Sequence, residues 1–358
     1  MLYRRFLRPL LFRLDAETAH SVGALALRLL TLLPPLERFL RRRLAASDAV
    51  LRTSALGVTL PSPIGLAAGF DKDARLFDAA LALGFGFVEV GTVTALAQPG
   101  NERPRLARLP TDRALLNRFG FNNEGADAAA RRLAARDRSA GVVGANVGKS
   151  AAVALEDAVA DYRRSAAAVG PVADFLVVNV SSPNTKGLRS LQDPEALRPI
   201  LRAVLDEARG PVLLKVAPDL VDAELDALAD LALELGLAGM VATNTTIDRD
   251  VLGADRARAD AAFAGGGISG APLKQRSLDV LRRLHARTEG RLLLVAAGGV
   301  ETAEDAWERV RAGATLVQVY TAFVYGGPGY PSRLSRELAA LARRDGFARV
   351  QDAVGTAG

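Results

Sequence analysis

The segment Val177–Thr185, VVNVSSPNT, ends an apolar run in serines, asparagines and a threonine. A serine such as Ser182 is a poor base near neutral pH and needs help. The usual helper is missing, because the only histidines are His20 and His285 and the chain has no cysteine. That composition argues against a Ser-His-Asp triad and a histidine-based metal site, and it excludes thiolate nucleophiles, Cys-ligated zinc, iron–sulfur clusters and disulfides. What remains for Ser182 is a proton moved through a relay as charge departs elsewhere, for example by hydride loss from the adjacent carbon. Thr185, three residues on, could hold a water or join that relay. The plainer alternative is a serine that only shapes a turn or caps a helix.

Other residues have spacing that suggests chemistry. Of 46 basic residues only five are lysines, and four of these, Lys72, Lys149, Lys186 and Lys215, fall in or beside loops rich in glycine or asparagine. Lysine offers a compact point charge that arginine does not. Of eight asparagines, all but Asn101 lie in such loops. Lys215, inside LLKVAP, is expected deep in the fold, either stabilising negative charge on a ligand or paired with Asp219 or Glu89, since a buried lone lysine is costly. Asn146 and Asn179 could bond the edges of a ring, because an amide both donates and accepts. Asn117, Asn184 and Asn244 suit a substrate of alternating C=O and N–H groups. Lys72, in AAGFDK, suits a carboxylate, with Asp71 holding its loop.

These residues need elements to position them. From about residue 60, short apolar runs alternate with alanine-rich helical stretches. The runs are Ile64–Ala68, Gly86–Gly91, Val142–Val147, Phe175–Val180, Val212–Val216, Gly239–Asn244, Leu292–Gly298 and Thr315–Tyr320. Helical patterns include 76–83, 124–136, 158–169, 223–235 and 303–312. Eight βα units predict an α/β chain folded as a closed (β/α)8 TIM barrel rather than a doubly wound sheet, for which no GxGxxG follows the first strand. In such a barrel the active site lies at the C-terminal strand ends, where nearly all the rare lysines and asparagines fall. Capping explains some of the Ser, Thr and Asn, but not lysine at several strand ends. The loops after the last two strands, AAGGVET and VYTAF, suit a phosphate, and GGGISG (Gly265–Gly270) adds close backbone approach.

Before the barrel, residues 1–43 read as two short amphipathic helices punctuated by LPPLER. They carry Arg4, Arg5, Arg8, Arg13, Arg28, Arg38, Arg41, Arg42 and Arg43 against Asp15, Glu17 and Glu37, whereas the whole chain has net charge +6. A basic, apolar terminus points to an anionic surface such as a membrane. Aromatics are few and no nucleic-acid motif occurs, so nucleic acid is not expected as a partner. No stretch reaches the ~18 apolar residues of a membrane span, and charges interrupt any signal-peptide core.

The motifs AAGFDK, EVGTVTALAQPGNERPRLARL, LLNRFGFNNEG, ANVGKS, VNVSSPNTKGLR, LLKVAPDL, VATNTT, GGISG, GGV and QVYTAF together resemble the dihydroorotate dehydrogenase family, in family order over about residues 45–345. The resemblance implies an FMN-dependent barrel that oxidises (S)-dihydroorotate to orotate in pyrimidine (UMP) synthesis. The absence of cysteine and the NVSSPN motif resemble the quinone-linked class 2, as does LRPLLFRLDAETAH, which in that class belongs to a membrane-associated hood. The domains implied are 1–43, a quinone-access extension, and 44–358, the catalytic barrel.

Carried over by motif, Ser182 is the base at C5 of the substrate. Lys72, Asn117, Arg118, Phe119, Gly120, Phe121, Asn184, Asn244 and Thr245 hold dihydroorotate. Ala68, Gly69, Thr92, Asn146, Asn179, Lys215, Thr243, Gly270, Gly299, Tyr320 and Thr321 hold FMN. Arg108 and His20 stand at the quinone side, and no metal is implied. The resemblance further implies a monomer, peripheral on the cytoplasmic face of a bacterial inner membrane, or on the mitochondrial inner membrane in a eukaryote. Lys186 stands where many relatives have proline. Two other readings stay open at this stage: the same FMN barrel with a soluble acceptor such as fumarate or NAD, and a non-catalytic barrel that binds a phosphorylated ligand.

Overall fold

The structure, a computed structural model, describes residues 3–357. Its strands in chain order are β1 (Thr53–Ala55), β2 (Val58–Leu60), β3 (Ile64–Leu66), β4 (Phe87–Val93), β5 (Leu106–Leu109), β6 (Ala114–Asn117), β7 (Val142–Val147), β8 (Leu176–Asn179), β9 (Val212–Val216), β10 (Gly239–Ala242), β11 (Gly267–Gly270), β12 (Leu293–Ala297) and β13 (Leu316–Val319). Eight of them close a barrel in the order β3-β4-β7-β8-β9-β10-β12-β13, and every barrel pairing is parallel. These are the eight apolar runs of the sequence, each within two residues of the boundaries read there. They read as continuous apolar runs because both faces are covered: side chains fill the inside and helices pack outside.

Alternation along the strands divides the barrel interior into layers. Phe87, Phe175, Val177, Leu213, Val241, Val295 and Leu316 form an apolar lower layer, closed from below by Leu56 and Leu60 of the β1–β2 hairpin. One inward position further along the same strands the layer turns polar, with Glu89, Asn179, Lys215 and Gln318, all buried. The polar layer is the floor of the site.

A second sheet, β11-β6-β5, is antiparallel and lies outside the barrel. Sequence reading did not find it as a sheet. It joins the local β5–β6 hairpin to the distant β11 and buries one face on a small cluster of Leu109, Leu116, Ile268, Leu252 and Phe263.

The N-terminus is helical, but not as two short helices. A π-helical turn Tyr3–Leu7 leads into α1 (Arg8–Leu11), then α2 (Ala16–Thr31) and α3 (Pro34–Leu44). Asp15 starts α2 by accepting from the backbone N–H of Thr18 at 2.9 Å, and prolines at the first turn start α3. α2 and α3 are bent 103° to each other, and no single described helix is long and apolar enough to cross a membrane. Leu27 packs into the barrel's core. Arg41 ties α3 down by donating to Glu37 at 2.8 Å and to the carbonyl of Ala140 at 2.9 Å.

Candidate active site

One cavity opens at the C-terminal ends of the barrel strands, under the β5–β6–β11 sheet. It is lined by Ser182, by Lys72, Asn117, Phe119, Gly120, Phe121, Asn184, Asn244 and Thr245, and by Ala68, Gly69, Thr92, Asn179, Lys215, Thr243, Gly270, Gly299, Tyr320 and Thr321. The structure thus brings most of the residues singled out from sequence to one place. Of those expected to hold substrate or cofactor, two do not line the cavity. Asn146 sits behind the wall, accepting from Thr92 Oγ1 at 2.5 Å and from Asn179 Nδ2 at 3.1 Å. Arg118 turns away, donating to the carbonyl of Pro104 at 3.0 Å and stacking over Phe263 at 4.6 Å.

The asparagines form a ladder. Asn184 Nδ2 donates to Asn117 Oδ1 at 3.3 Å, and Asn244 Nδ2 donates to Asn179 Oδ1 at 3.3 Å and Ser181 Oγ at 3.0 Å. Asn101 joins from outside, bonding the carbonyls of Arg118 at 2.9 Å and Asn184 at 3.1 Å. The ladder fixes which amide oxygens and nitrogens remain for a ligand with C=O and N–H edges.

Ser182 is buried, and its Oγ accepts from the backbone N–H of Asn184 at 3.2 Å. The turn-forming role is therefore present, while the hydroxyl also faces the cavity. Thr185 is buried beside it, and its Oγ1 has no partner among the described residues.

Lys72 lies over the Phe119 ring at 4.0 Å. Burial and the nearby Arg105 guanidinium push its pKa down to about 8. Asp71, buried beside it, accepts from the N–H groups of Arg75 at 2.7 Å and Leu76 at 2.8 Å. It holds the loop, and burial raises its pKa to about 6. Arg105 also pairs with Glu17 of α2 at 2.8 Å, so the extension touches the frame of the site.

Lys215 has neither expected partner. Asp219 pairs with Arg189 at 2.7 Å, and Glu89 accepts from Asn146 and Gln318. Among the described residues Lys215 makes no ion pair or hydrogen bond, so its ammonium is left for a ligand. Lys149, by contrast, serves structure: its Nζ donates to the carbonyls of Ser150, at 2.8 Å, and Val153. Lys186 is exposed.

At the far end, Gly299 (φ +71°) and Gly270 (φ +101°) line a backbone cradle. The helix Thr321–Gly326 begins there with no side-chain cap, and Ser269 Oγ meets Thr321 Oγ1 at 2.8 Å. Such a turn offers backbone donors to a phosphate.

Sequence reasoning missed Gln318, Ser269, Leu106 and Leu115, all at the cavity wall. Gln318 had a signal, a polar residue at an inward position of the run TLVQVY. Leu106 and Leu115 had none, because the sheet that carries them was not foreseen.

Toward the extension, Arg108 does not line the cavity. It donates to the carbonyls of Leu11, at 3.0 Å, and Leu14, and it stacks over Phe12 at 4.6 Å. His20 meets Phe70 edge-on at 5.1 Å, and Phe70 meets Tyr320 at 5.7 Å. Burial, reinforced by Lys72, pushes His20 down to about 3, so it is neutral at ordinary pH. An aromatic run thus joins α2 to the cavity. Among the described residues no cluster of acidic or histidine side chains could hold a metal.

The family model described as dihydroorotate dehydrogenase matches residues 50–341. A protein of Rhodococcus opacus named dihydroorotate dehydrogenase (quinone) is 58% identical over 99% of both chains. A protein of the same name from Thermobifida fusca is 57% identical over 99% of this chain and 96% of its own. Among solved structures, the dihydroorotate dehydrogenase of Eimeria tenella in complex with ferulenol superposes with TM-score 0.85 at 37% identity, covering 96% of each chain.

Proposed function

The chain belongs to the dihydroorotate dehydrogenase family, and from that premise we propose how its residues perform the reaction. It oxidises (S)-dihydroorotate to orotate, a step of pyrimidine biosynthesis, and delivers the electrons to a quinone. The observation that carries the reading is the convergence on one cavity of Ser182, the asparagine ladder and the unpartnered Lys215. The soluble-acceptor reading loses ground because the similar full-length relatives carry the quinone name. A binding-only barrel leaves that convergence without a use.

The residues fit FMN. The glycine cradle with Thr321 suits its phosphate, while Lys215, Thr92, Asn179 and Thr243 suit its ring. The buried Gln318 Oε1, which has no partner among the described residues, is an acceptor waiting for a donor. FMN, when bound, supplies the acceptor for the hydride from C6 of the substrate and a route for electrons to quinone.

Lys72 pairs with the substrate carboxylate, and its closeness to Phe119 keeps that pair out of water. Asn117, Asn184 and Asn244 orient the ring, with the Asn184–Asn117 and Asn244–Asn179 bonds limiting which way each amide faces. Ser182 Oγ takes the proton from C5. Thr185 Oγ1, buried and without a partner, receives that proton or a water that carries it. Lys215 opposes the negative charge that accumulates as the hydride leaves. α1 to α3 lie on an anionic membrane, with Arg108 and His20 lining the way in for quinone. The protein acts as a monomer, peripheral on the cytoplasmic face of a bacterial membrane, with 1–43 as extension and 44–358 as catalytic unit.

An anaerobic experiment tests this. The purified protein should be yellow, bleach on addition of dihydroorotate, and recover its colour with a short-chain ubiquinone but not with fumarate or NAD. Recovery only with a soluble acceptor would overturn the quinone assignment. A protein that cannot be loaded with FMN would overturn the cofactor.

A further inference from the structure

The barrel floor contains a carboxylate that the reaction does not use. Glu89 is fully buried at the centre of β4. Among the described residues it has no cationic partner; two amides serve it instead, Asn146 Nδ2 at 2.7 Å and Gln318 Nε2. A carboxylate only accepts hydrogen bonds, so each of these amides must turn its NH2 toward Glu89. Either amide reversed would set oxygen against oxygen in a site that water does not reach. Glu89 therefore fixes the polarity of both.

The consequence differs on the two sides. Asn146 Oδ1 is turned to Thr92 and Asn179, which satisfy it. Gln318 Oε1 is turned the other way, and it is buried and has no partner among the described residues, although Gln318 lines the cavity. An unmet buried acceptor is costly unless a ligand meets it. A flavin ring presents mostly acceptors along its pyrimidine edge, and in the oxidised state a single N–H, at N3.

We propose that Glu89 is a positioning residue that locks the amide of Gln318 so that Gln318 Oε1 accepts from the N3–H of the flavin, which makes Gln318 a further cofactor-binding residue. This rests on the FMN reading above. Glu89 acts through Gln318 and touches no reacting atom.

The readouts are FMN release from the holoenzyme, followed as a rise in flavin fluorescence on dilution, and FMN titration of stripped protein. Glu89→Gln frees both amides to turn and is expected to weaken FMN about tenfold, as for one buried hydrogen bond lost. The exchanged pair Glu89→Gln with Gln318→Glu again places a carboxylate opposite an amide and an acceptor at the cavity. It is expected to bind FMN within about threefold of wild type, since no bond is then lost. Wild-type affinity in Glu89→Gln, or an exchanged pair no better than the single variant, overturns the inference. If the variants do not fold, FMN methylated at N3 decides on the wild-type protein. Weaker binding than FMN, with the difference abolished in Gln318→Ala, supports the assignment; equal binding overturns it and gives Gln318 Oε1 to the ammonium of Lys215. Wild-type protein that binds no FMN overturns the cofactor reading itself and this inference with it.

Discussion

At the scale of single residues, the proposed chemistry rests on groups that are buried and incompletely partnered. Ser182 shapes a turn and also faces the cavity, so its two roles can be separated. Ser182→Ala is expected to lower turnover by roughly 10²–10⁴-fold, the usual weight of a positioned base, while flavin content and Tm stay near wild type. A loss of flavin in parallel would assign the residue to structure instead. Lys72 has a pKa pushed down to about 8, so it is charged below that pH and neutral above it. Above about pH 8 the KM for dihydroorotate is expected to rise, approaching tenfold per pH unit, with kcat moving less. Lys72→Met should raise KM below about pH 8, where the lysine is charged, and remove that slope. The same shift has a stability sign. The folded pKa lies below the unfolded value of 10.5, so the cost of the buried charge is present below pH 8 and is relieved as pH rises from 8 to 10.5. Lys72 and Lys215 were legible in the sequence because a composition poor in lysine made each lysine conspicuous, and Ser182 because an apolar run ends there in serines and asparagines. The polarity of Gln318 was not, because it depends on Glu89, which lies far away in sequence and meets it only across the closed barrel.

At the scale of elements, the barrel strands were legible because each is a short apolar run bounded by turn residues, with both faces covered. The β5–β6–β11 sheet was not, since a local reading cannot pair Leu106–Asn117 with Gly267–Gly270. That sheet matters, because it roofs the cavity with Leu106 and Leu115 and meets the extension through Arg108. The cradle after β12 is the more local device. Gly299 has φ +71°, and a Cβ there would lie 2.3 Å from Lys274 Cα, a backbone atom that cannot swing aside. Gly299→Ala is therefore expected to cost about 1–3 kcal/mol in strain and to lower the flavin-to-protein ratio after purification. The absorbance ratio at 450 and 280 nm, taken with Tm, measures both effects. Full flavin occupancy with an unchanged Tm would show that the cradle tolerates a side chain.

At the scale of the whole molecule, the asymmetry between barrel and extension is what calls for explanation. The barrel buries most of its apolar residues, whereas the extension leaves Phe6, Leu7, Leu10, Leu25, Leu29, Leu32, Leu33 and Phe39 each more than half exposed. Isolated exposed leucines are ordinary, but a group of this size on consecutive helices marks an interaction surface. Arginines of α3 and of the first turns accompany it, a combination suited to anionic lipid. The extension is nonetheless seated on the barrel by Leu27, Arg41 and the Glu17–Arg105 pair. A variant can therefore lose these exposed apolar side chains without losing the fold. Leu25→Glu, Leu29→Glu and Phe39→Glu combined should leave Tm and the bleaching of flavin by dihydroorotate unchanged. Sedimentation with vesicles containing phosphatidylglycerol should fall at least about tenfold, since three apolar anchors are lost at ~1.5–3 kcal/mol each when fully buried. Turnover with a long-chain quinone embedded in those vesicles should fall with it, while turnover with a water-soluble short-chain quinone should hold. Were both quinones affected equally, the exposed face would be part of the quinone path itself. Were neither affected, the apolar face would have to be covered by something other than lipid.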